Sequence, residues 1–244
     1  MNAPTKPVIG TILLATDLVT ENDIRAIVPP HVTVCATRVP FENPTSPEQL
    51  RRTLPHLGEA ARWLVPGVEL GALYFSCTSA TVVLGEDNVA RAIGETRPEV
   101  KPVTPIMAAK RAFRALGAKK IAVMTPYIAS TAKAIVDHLE EHGFEVLNAH
   151  GLNMEDDRDM ARLPAEPIIE AAEIAMVEGA EALFISCTAL PAATLVPEIE
   201  RRIGIPVVTS NLAGLWMSMR RAGVTDRLGE KGKLLDLDLP EDAA

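Results

Sequence analysis

The chain has little that would tie it to a membrane, a disulfide framework or a polyanion. No stretch approaches the roughly 20 apolar residues of a membrane span. The opening Met1-Asn2-Ala3-Pro4-Thr5-Lys6-Pro7 has no apolar signal core, so a cytoplasmic protein is expected. Cysteine is scarce: Cys35, Cys77 and Cys187 are too few and too scattered for a disulfide scaffold, and no Cys-x-x-Cys pair occurs, so reduced thiols are expected. The histidines (His31, His56, His138, His142 and His150) are read as surface residues with no spacing of interest, and no metal is expected. Positive charge is also short. The 24 Lys and Arg against 32 Asp and Glu give a net charge of -8, which argues against nucleic acid or an anionic membrane as a standing partner.

What is present is a repeated phrase. Leu73 to Thr81 reads Leu-Tyr-Phe-Ser-Cys-Thr-Ser-Ala-Thr, and Leu183 to Ala189 reads Leu-Phe-Ile-Ser-Cys-Thr-Ala. Each is a short apolar run that ends in Ser-Cys-Thr, the pattern of a buried strand giving way to a loop or helix start. The carboxyl edge of an open parallel sheet is where ligands bind. Two thiols placed alike in two halves therefore point to one site between the halves. Cys35 lies inside a strand pattern and reads as a small core residue.

Strand and helix patterns alternate along the chain. Val8 to Ala15 is an expected strand whose exit carries Thr16 and Asp17. A helix follows from Thr20 through Val28, then a strand from Val32 to Thr37. Phe41 to Pro47 reads as a loop able to cover a site. Pro47 to Leu64 has helical spacing broken or kinked at Pro55, Ser79 to Ile93 reads as one helix containing Gly85, and Ile106 to Leu116 as a helix ended by Gly117. Lys119 to Met124 restarts the pattern with a strand leading to Tyr127. Expected next are a helix from Ser130 to Glu141, a strand from Glu145 to Asn148, an acidic loop over Gly151 to Arg158 and a helix from Pro167 to Val177. After the second cysteine come a helix from Pro191 to Arg202, a strand from Pro206 to Thr209, a helix from Asn211 to Ala222 with Trp216 on its apolar face, and a loose charged tail from Lys231. Val8 to Asp17 answers Ile121 to Tyr127, and Lys101 to Pro105 answers Ile205 to Thr209, which marks an internal duplication. The expected fold is α/β: two pseudo-twofold-related lobes, residues 1–118 with Cys77 and 119–244 with Cys187, each a mainly parallel sheet with helices on both faces, the site lying in the cleft between them. The terminal helix is expected to be able to pack on the first lobe.

Taken together, the two Ser-Cys-Thr motifs, the Thr125-Pro126-Tyr127 turn, the Asp156-Asp157 loop and the Pro206 to Thr209 strand resemble the Asp/Glu racemase superfamily. The resemblance is to its branch of maleate cis-trans isomerases and arylmalonate decarboxylase, and within that branch to the members linked to ectoine utilization. It implies a cofactor-independent isomerase or racemase in which Cys77 is base or nucleophile and Cys187 the acid partner, working from opposite faces of a small carboxylate. Thr78, Ser79, Tyr127, Thr188 and Ala189 are the implied substrate contacts. Decarboxylation is disfavoured, because arylmalonate decarboxylase lacks the first thiol. Where the maleate isomerases carry two asparagines that hold substrate carboxylates, this chain aligns Asp17 and Asp157. An ionised Asp only accepts hydrogen bonds, which suits a substrate bearing an amino or amidine nitrogen.

Unpaired amides and the positive end of a helix dipole after each cysteine are expected to favour thiolate. Capping is the competing reading for Asp17 and Asp157, and an ordinary turn aromatic for Tyr127. Maleate isomerisation with Cys77 as nucleophile is the alternative reaction. A small-molecule binding protein without catalysis and a thiol hydrolase are the competing classes. Homo-oligomerisation is left open.

Overall fold

The computed structural model describes residues 6–240. Elements run in the order β1 (Val8–Leu14), α1 (Thr20–Ile27), β2 (Thr33–Val39), α2 (Pro47–Arg51), α3 (Leu54–Arg62), β3 (Ala72–Ser76), α4 (Thr78–Leu84), α5 (Glu86–Gly94), β4 (Pro102–Val103) and α6 (Pro105–Leu116). The second half holds β5 (Lys120–Tyr127), α7 (Ala129–Glu141), β6 (Glu145–Met154), α8 (Asp157–Met160), α9 (Ala165–Ala175), β7 (Ala182–Ile185), α10 (Val196–Ile203), β8 (Val207–Thr209) and α11 (Ser210–Arg221).

The strands form two parallel four-stranded sheets, ordered β2-β1-β3-β4 and β6-β5-β7-β8. The order is the same in both halves, as the duplication requires. In each sheet the connections change direction between the two central strands, β1 and β3 in one, β5 and β7 in the other. That switch point leaves a crevice beyond their carboxyl ends, where Asp17, Cys77, Tyr127 and Cys187 fall. The central strands read as near-continuous apolar runs because both faces are covered. Alternation sends Tyr74 to one side of β3 and Leu73 and Phe75 to the other, into separate apolar clusters.

The helix after the last strand of each half crosses to the opposite sheet. On α6, Phe113 packs edge-on against Phe184 of β7 at 5.8 Å and against Phe144 at 5.2 Å. α11 lies on β3, so close at Gly214 that a Cβ there would meet the Tyr74 ring at 2.3 Å. Thr104 and Thr209 start these two helices alike: each side-chain oxygen accepts from the amide three residues on, Met107 at 3.4 Å and Leu212 at 3.1 Å.

Four local expectations are corrected. Ser79 to Ile93 is two helices, because Gly85 takes φ +84, in the left-handed region that ends α4. The Glu145 strand continues to Met154, into the first part of the stretch read as an acidic loop, since it forms a long edge strand paired with β5, and α8 begins at Asp157. The helix expected from Pro191 begins as a short 3-10 turn at Ala193 and becomes α-helical at Val196. The tail from Lys231, through residue 240, is fastened rather than loose. Leu234 and Leu235 are fully buried, Trp216 Nε1 donates to the Leu237 carbonyl at 2.8 Å, and the Arg220 guanidinium donates to the carbonyls of Val224, Asp226, Leu235 and Leu237. Cys35 lies half-buried on the edge strand β2, against the smaller apolar cluster.

Candidate active site

Cys77 and Cys187 leave equivalent strands but are held differently. Cys77 is the N-cap of α4, and its Sγ accepts from the Ala80 amide at 3.4 Å and lies 3.7 Å from Ser79 Oγ. Cys187 sits in a turn two residues beyond β7. Its Sγ accepts from the Ala189 amide at 3.3 Å and faces Met160 Sδ at 4.0 Å. The helix start expected after Cys187 is therefore absent, and its amide comes from a turn.

Tyr127, the last residue of β5, lies close enough to Cys187 and Ser79 for its hydroxyl to interact with both, between the two thiols. Both cysteines, Tyr127 and Asp157 are at most 4% exposed. Burial pushes both thiols up to about 12, against the lowering expected from a helix terminus. The amides of Ala80 and Ala189 and the hydroxyls of Ser79 and Tyr127 pull the other way. The carboxylates reinforce burial: Asp157 acts on both thiols, and Asp17 on Cys77.

The remaining sequence-selected residues divide between cleft and scaffold. Asp17 Oδ1 accepts from the Val19 and Thr20 amides at 2.9 Å each, and Oδ2 from Thr20 Oγ1 at 2.7 Å, so its oxygens are engaged by the start of α1. Burial raises its carboxyl despite these donors. Asp157 opens α8 and is gripped from the first lobe. Thr16 Oγ1 donates to Oδ2, Asn43 Nδ2 donates to Oδ1 at 2.7 Å, and the Asp157 amide donates to Asn43 Oδ1 at 3.2 Å. The loop over Phe41 to Pro47 thus does reach across, and Thr45 adds two bonds to the Glu155 carbonyl. The two motif threonines point elsewhere. Thr78 Oγ1 donates to Ser210 Oγ at 2.8 Å and Thr188 Oγ1 to the Ser76 carbonyl at 3.2 Å, tying each motif to the other half.

Residues missed from sequence lie behind the thiols. Asn211, Asp23, Thr20, Ser76 and Tyr74 form a buried polar cluster. Asn211 follows the exit of β8, so the strand-exit rule that singled out Asp17 and Tyr127 would have found it. His138 on α7 and His142 at its C-terminal cap, read as having no spacing of interest, have rings 4.2 Å apart, and with Glu86 form the one group of potential metal ligands found among the described residues. The Lys110 ammonium already lies 2.5 Å from Glu86 Oε1 and 3.2 Å from His138 Nε2, so a side-chain cation occupies that position. Together with His138 it holds the Glu86 carboxyl down at about 2.

The fold and site define a class: a two-lobed parallel α/β protein with one buried thiol at the switch-point edge of each sheet. Residues 89–235 match the model of the arylmalonate decarboxylase family, and the chain belongs to that family. It is 32% identical over 127 residues to a maleate isomerase of Nocardia farcinica, and 30% identical over 113 residues to an arylmalonate decarboxylase of Bordetella bronchiseptica. These matches cover 52% and 46% of this chain, and 51% and 47% of the relatives, so they span about half the relatives' length. The fold is shared over far more. A structure of Nocardia farcinica maleate cis-trans isomerase, a mutant with a covalently bound succinylcysteine intermediate, superposes with a TM-score of 0.87 over 94% of this chain and 98% of its own, at 23% identity. Unliganded arylmalonate decarboxylase superposes with a TM-score of 0.77 over 94% and 99%, at 26% identity. Among the described residues no helix is long and apolar enough to cross a membrane.

Proposed function

We propose that the protein is a cofactor-independent isomerase or racemase that works on a small carboxylate with two cysteines. The observation that carries this reading is the pairing itself: Cys77 and Cys187 follow equivalent strands, each accepts a backbone amide, both are buried, and Tyr127 acts together with Cys187 and Ser79. In this reading one thiolate removes the proton alpha to the substrate carboxylate while the other thiol delivers its own proton to the opposite face. Negative charge builds on the carboxylate oxygens as the proton leaves. The Ser79 and Tyr127 hydroxyls and the amides after each cysteine are donors suited to it. Thr78 and Thr188 serve as clasps between the halves, since their hydroxyls are already committed. Thiols resting near 12 have little nucleophilic form at neutral pH, so thiolate must be generated on binding.

The finer reading is a substrate that carries an amino or amidine nitrogen, of the kind handled in ectoine utilization. Support comes from the carboxylates that act on the thiols, Asp157 on both and Asp17 on Cys77. Both carboxylates already accept hydrogen bonds within the protein, and Asp157, which acts on both thiols where Asp17 acts on Cys77, is the stronger candidate to meet a substrate cation. Maleate isomerisation is the second reading, favoured by the Nocardia farcinica relative and its succinylcysteine intermediate.

The test is proton exchange in heavy water over amino, amidino and unsaturated carboxylates, followed by mass spectrometry, with maleate-to-fumarate conversion assayed alongside. Turnover is expected to be lost in Cys77→Ser and in Cys187→Ser, with both variants folded, and any alpha-proton exchange left in a single variant is expected with one enantiomer alone. Full activity in either single variant overturns the two-thiol mechanism.

A further inference from the structure

Cys77 and Cys187 each need an amide aimed at sulfur, yet only Cys77 has a helix to aim it. In α4 the Ala80 N–H points at Cys77 because helical geometry leaves the amides of the first turn without carbonyl partners. Beyond β7 the chain makes a turn, and a turn peptide can rotate.

One side chain prevents that rotation. Asn211 Nδ2, from the first turn of α11, donates to the Thr188 carbonyl at 3.0 Å. The Thr188–Ala189 peptide is planar and trans, so its C=O and its N–H lie on opposite edges. Fixing the carbonyl toward Asn211 directs the Ala189 N–H the other way, onto Cys187 Sγ at 3.3 Å.

Asn211 is itself fixed. Its Nδ2 also donates to Asp23 Oδ2 at 2.7 Å, and its Oδ1 is met by the hydroxyls of Tyr74 at 3.2 Å, Ser76 at 3.3 Å and Thr20 at 3.4 Å. Acceptors on one side and hydroxyls on the other leave one amide orientation, and the residue is 1% exposed. We propose that Asn211 is a positioning residue for Cys187: by holding the Thr188 carbonyl, with Asp23 behind it, it supplies through the Ala189 amide the thiolate stabilisation that α4 supplies to Cys77. The catalytic meaning of this rests on the two-thiol reading; the geometry does not.

The test is alkylation by iodoacetamide at pH 8, with each cysteine followed by peptide mass spectrometry. It needs no substrate, so failure to find turnover would count against the two-thiol reading and leave this result untouched. A hydrogen bond to a charged sulfur changes its thiolate fraction about ten- to hundredfold. Asn211→Ala is therefore expected to slow Cys187 alkylation by about that factor while Cys77 stays within about twofold. Tyr127, Asp157 and Cys77, the groups that act on Cys187, are common to both proteins, so the difference isolates the amide. Equal slowing of both thiols, or none at Cys187, overturns the proposal.

Should Asn211→Ala not fold, Asp23→Ala removes the acceptor behind Asn211 and is expected to slow Cys187 alone, by a smaller factor. In the unmodified protein, the Asn211 side-chain amide protons should exchange with heavy water at least about a hundredfold more slowly than those of exposed Asn22. Exchange at the Asn22 rate overturns the anchor without any substitution.

Discussion

Asp23→Asn should make the protein more stable, and increasingly so as pH rises. The Asp23 carboxyl is 3% exposed, its one hydrogen-bond donor in the cluster is Asn211, and burial first, then the nearby Asp17 charge, push it up to about 7 from 3.8. An acid whose folded pKa is raised resists ionisation in the native state while the unfolded chain ionises freely. Its contribution to stability is therefore highest below 3.8, falls as pH climbs, and levels off above 7. The gap of about three pKa units corresponds to about 4 kcal/mol of stability withheld at pH 8 relative to pH 4. Asparagine keeps an oxygen for Asn211 Nδ2 and has no charge to withhold. It adds a fixed offset from its own buried amide, which cancels between the two pH values. Urea midpoints of both proteins at pH 4 and pH 8, away from the isoelectric point of 5.2, give the comparison. The stability difference, variant minus parent, should rise by about 4 kcal/mol across that span. A difference flat to within about 0.5 kcal/mol would refute the reasoning, because Asp23 would then ionise as an exposed carboxylate does.

Two further outcomes are expected. Asp157→Asn should weaken binding of an amino or amidinium carboxylate and improve binding of a maleate-like diacid, each by about one to two powers of ten, as read by calorimetry; unchanged preference would remove Asp157 from substrate selection. Gly214→Ala places a Cβ 2.3 Å from the Tyr74 ring, and should cost about 1–3 kcal/mol in urea unfolding while disturbing the Tyr74 bond to Asn211.

The duplication, both cysteine strands and the strand exits at Asp17 and Tyr127 could be read from the chain, because each is a local pattern: an apolar run, then a polar stop. The polar cluster behind the thiols could not. Asp23 and Asn211 are bonded across 188 residues of sequence, and each alone looks like a helix-start residue. The same blindness to long-range contact made the tail look loose, since Leu234 and Leu235 carry no periodicity that predicts their burial beside α6 and β8. The helix expected after Cys187 failed for a local reason. Pro191 disfavours helical backbone at Leu190, and the helix is delayed until a turn has passed.

The crossing of α6 and α11 bears on how the molecule is made. A ribosome that has delivered the first sheet has not yet delivered the helix that covers β3, and α6, already emerged, waits for β7 and β8. The smaller apolar cluster is built wholly from the first half, whereas the larger one draws on residues of both halves. Folding therefore stays open until α11 is released, and the nascent first half has apolar surface that a chaperone or another nascent chain can meet. The arrangement has the form of two copies that exchange their last helices, joined end to end. The thiol pair shares this timing: Asn211 lies on α11, synthesised after both cysteines.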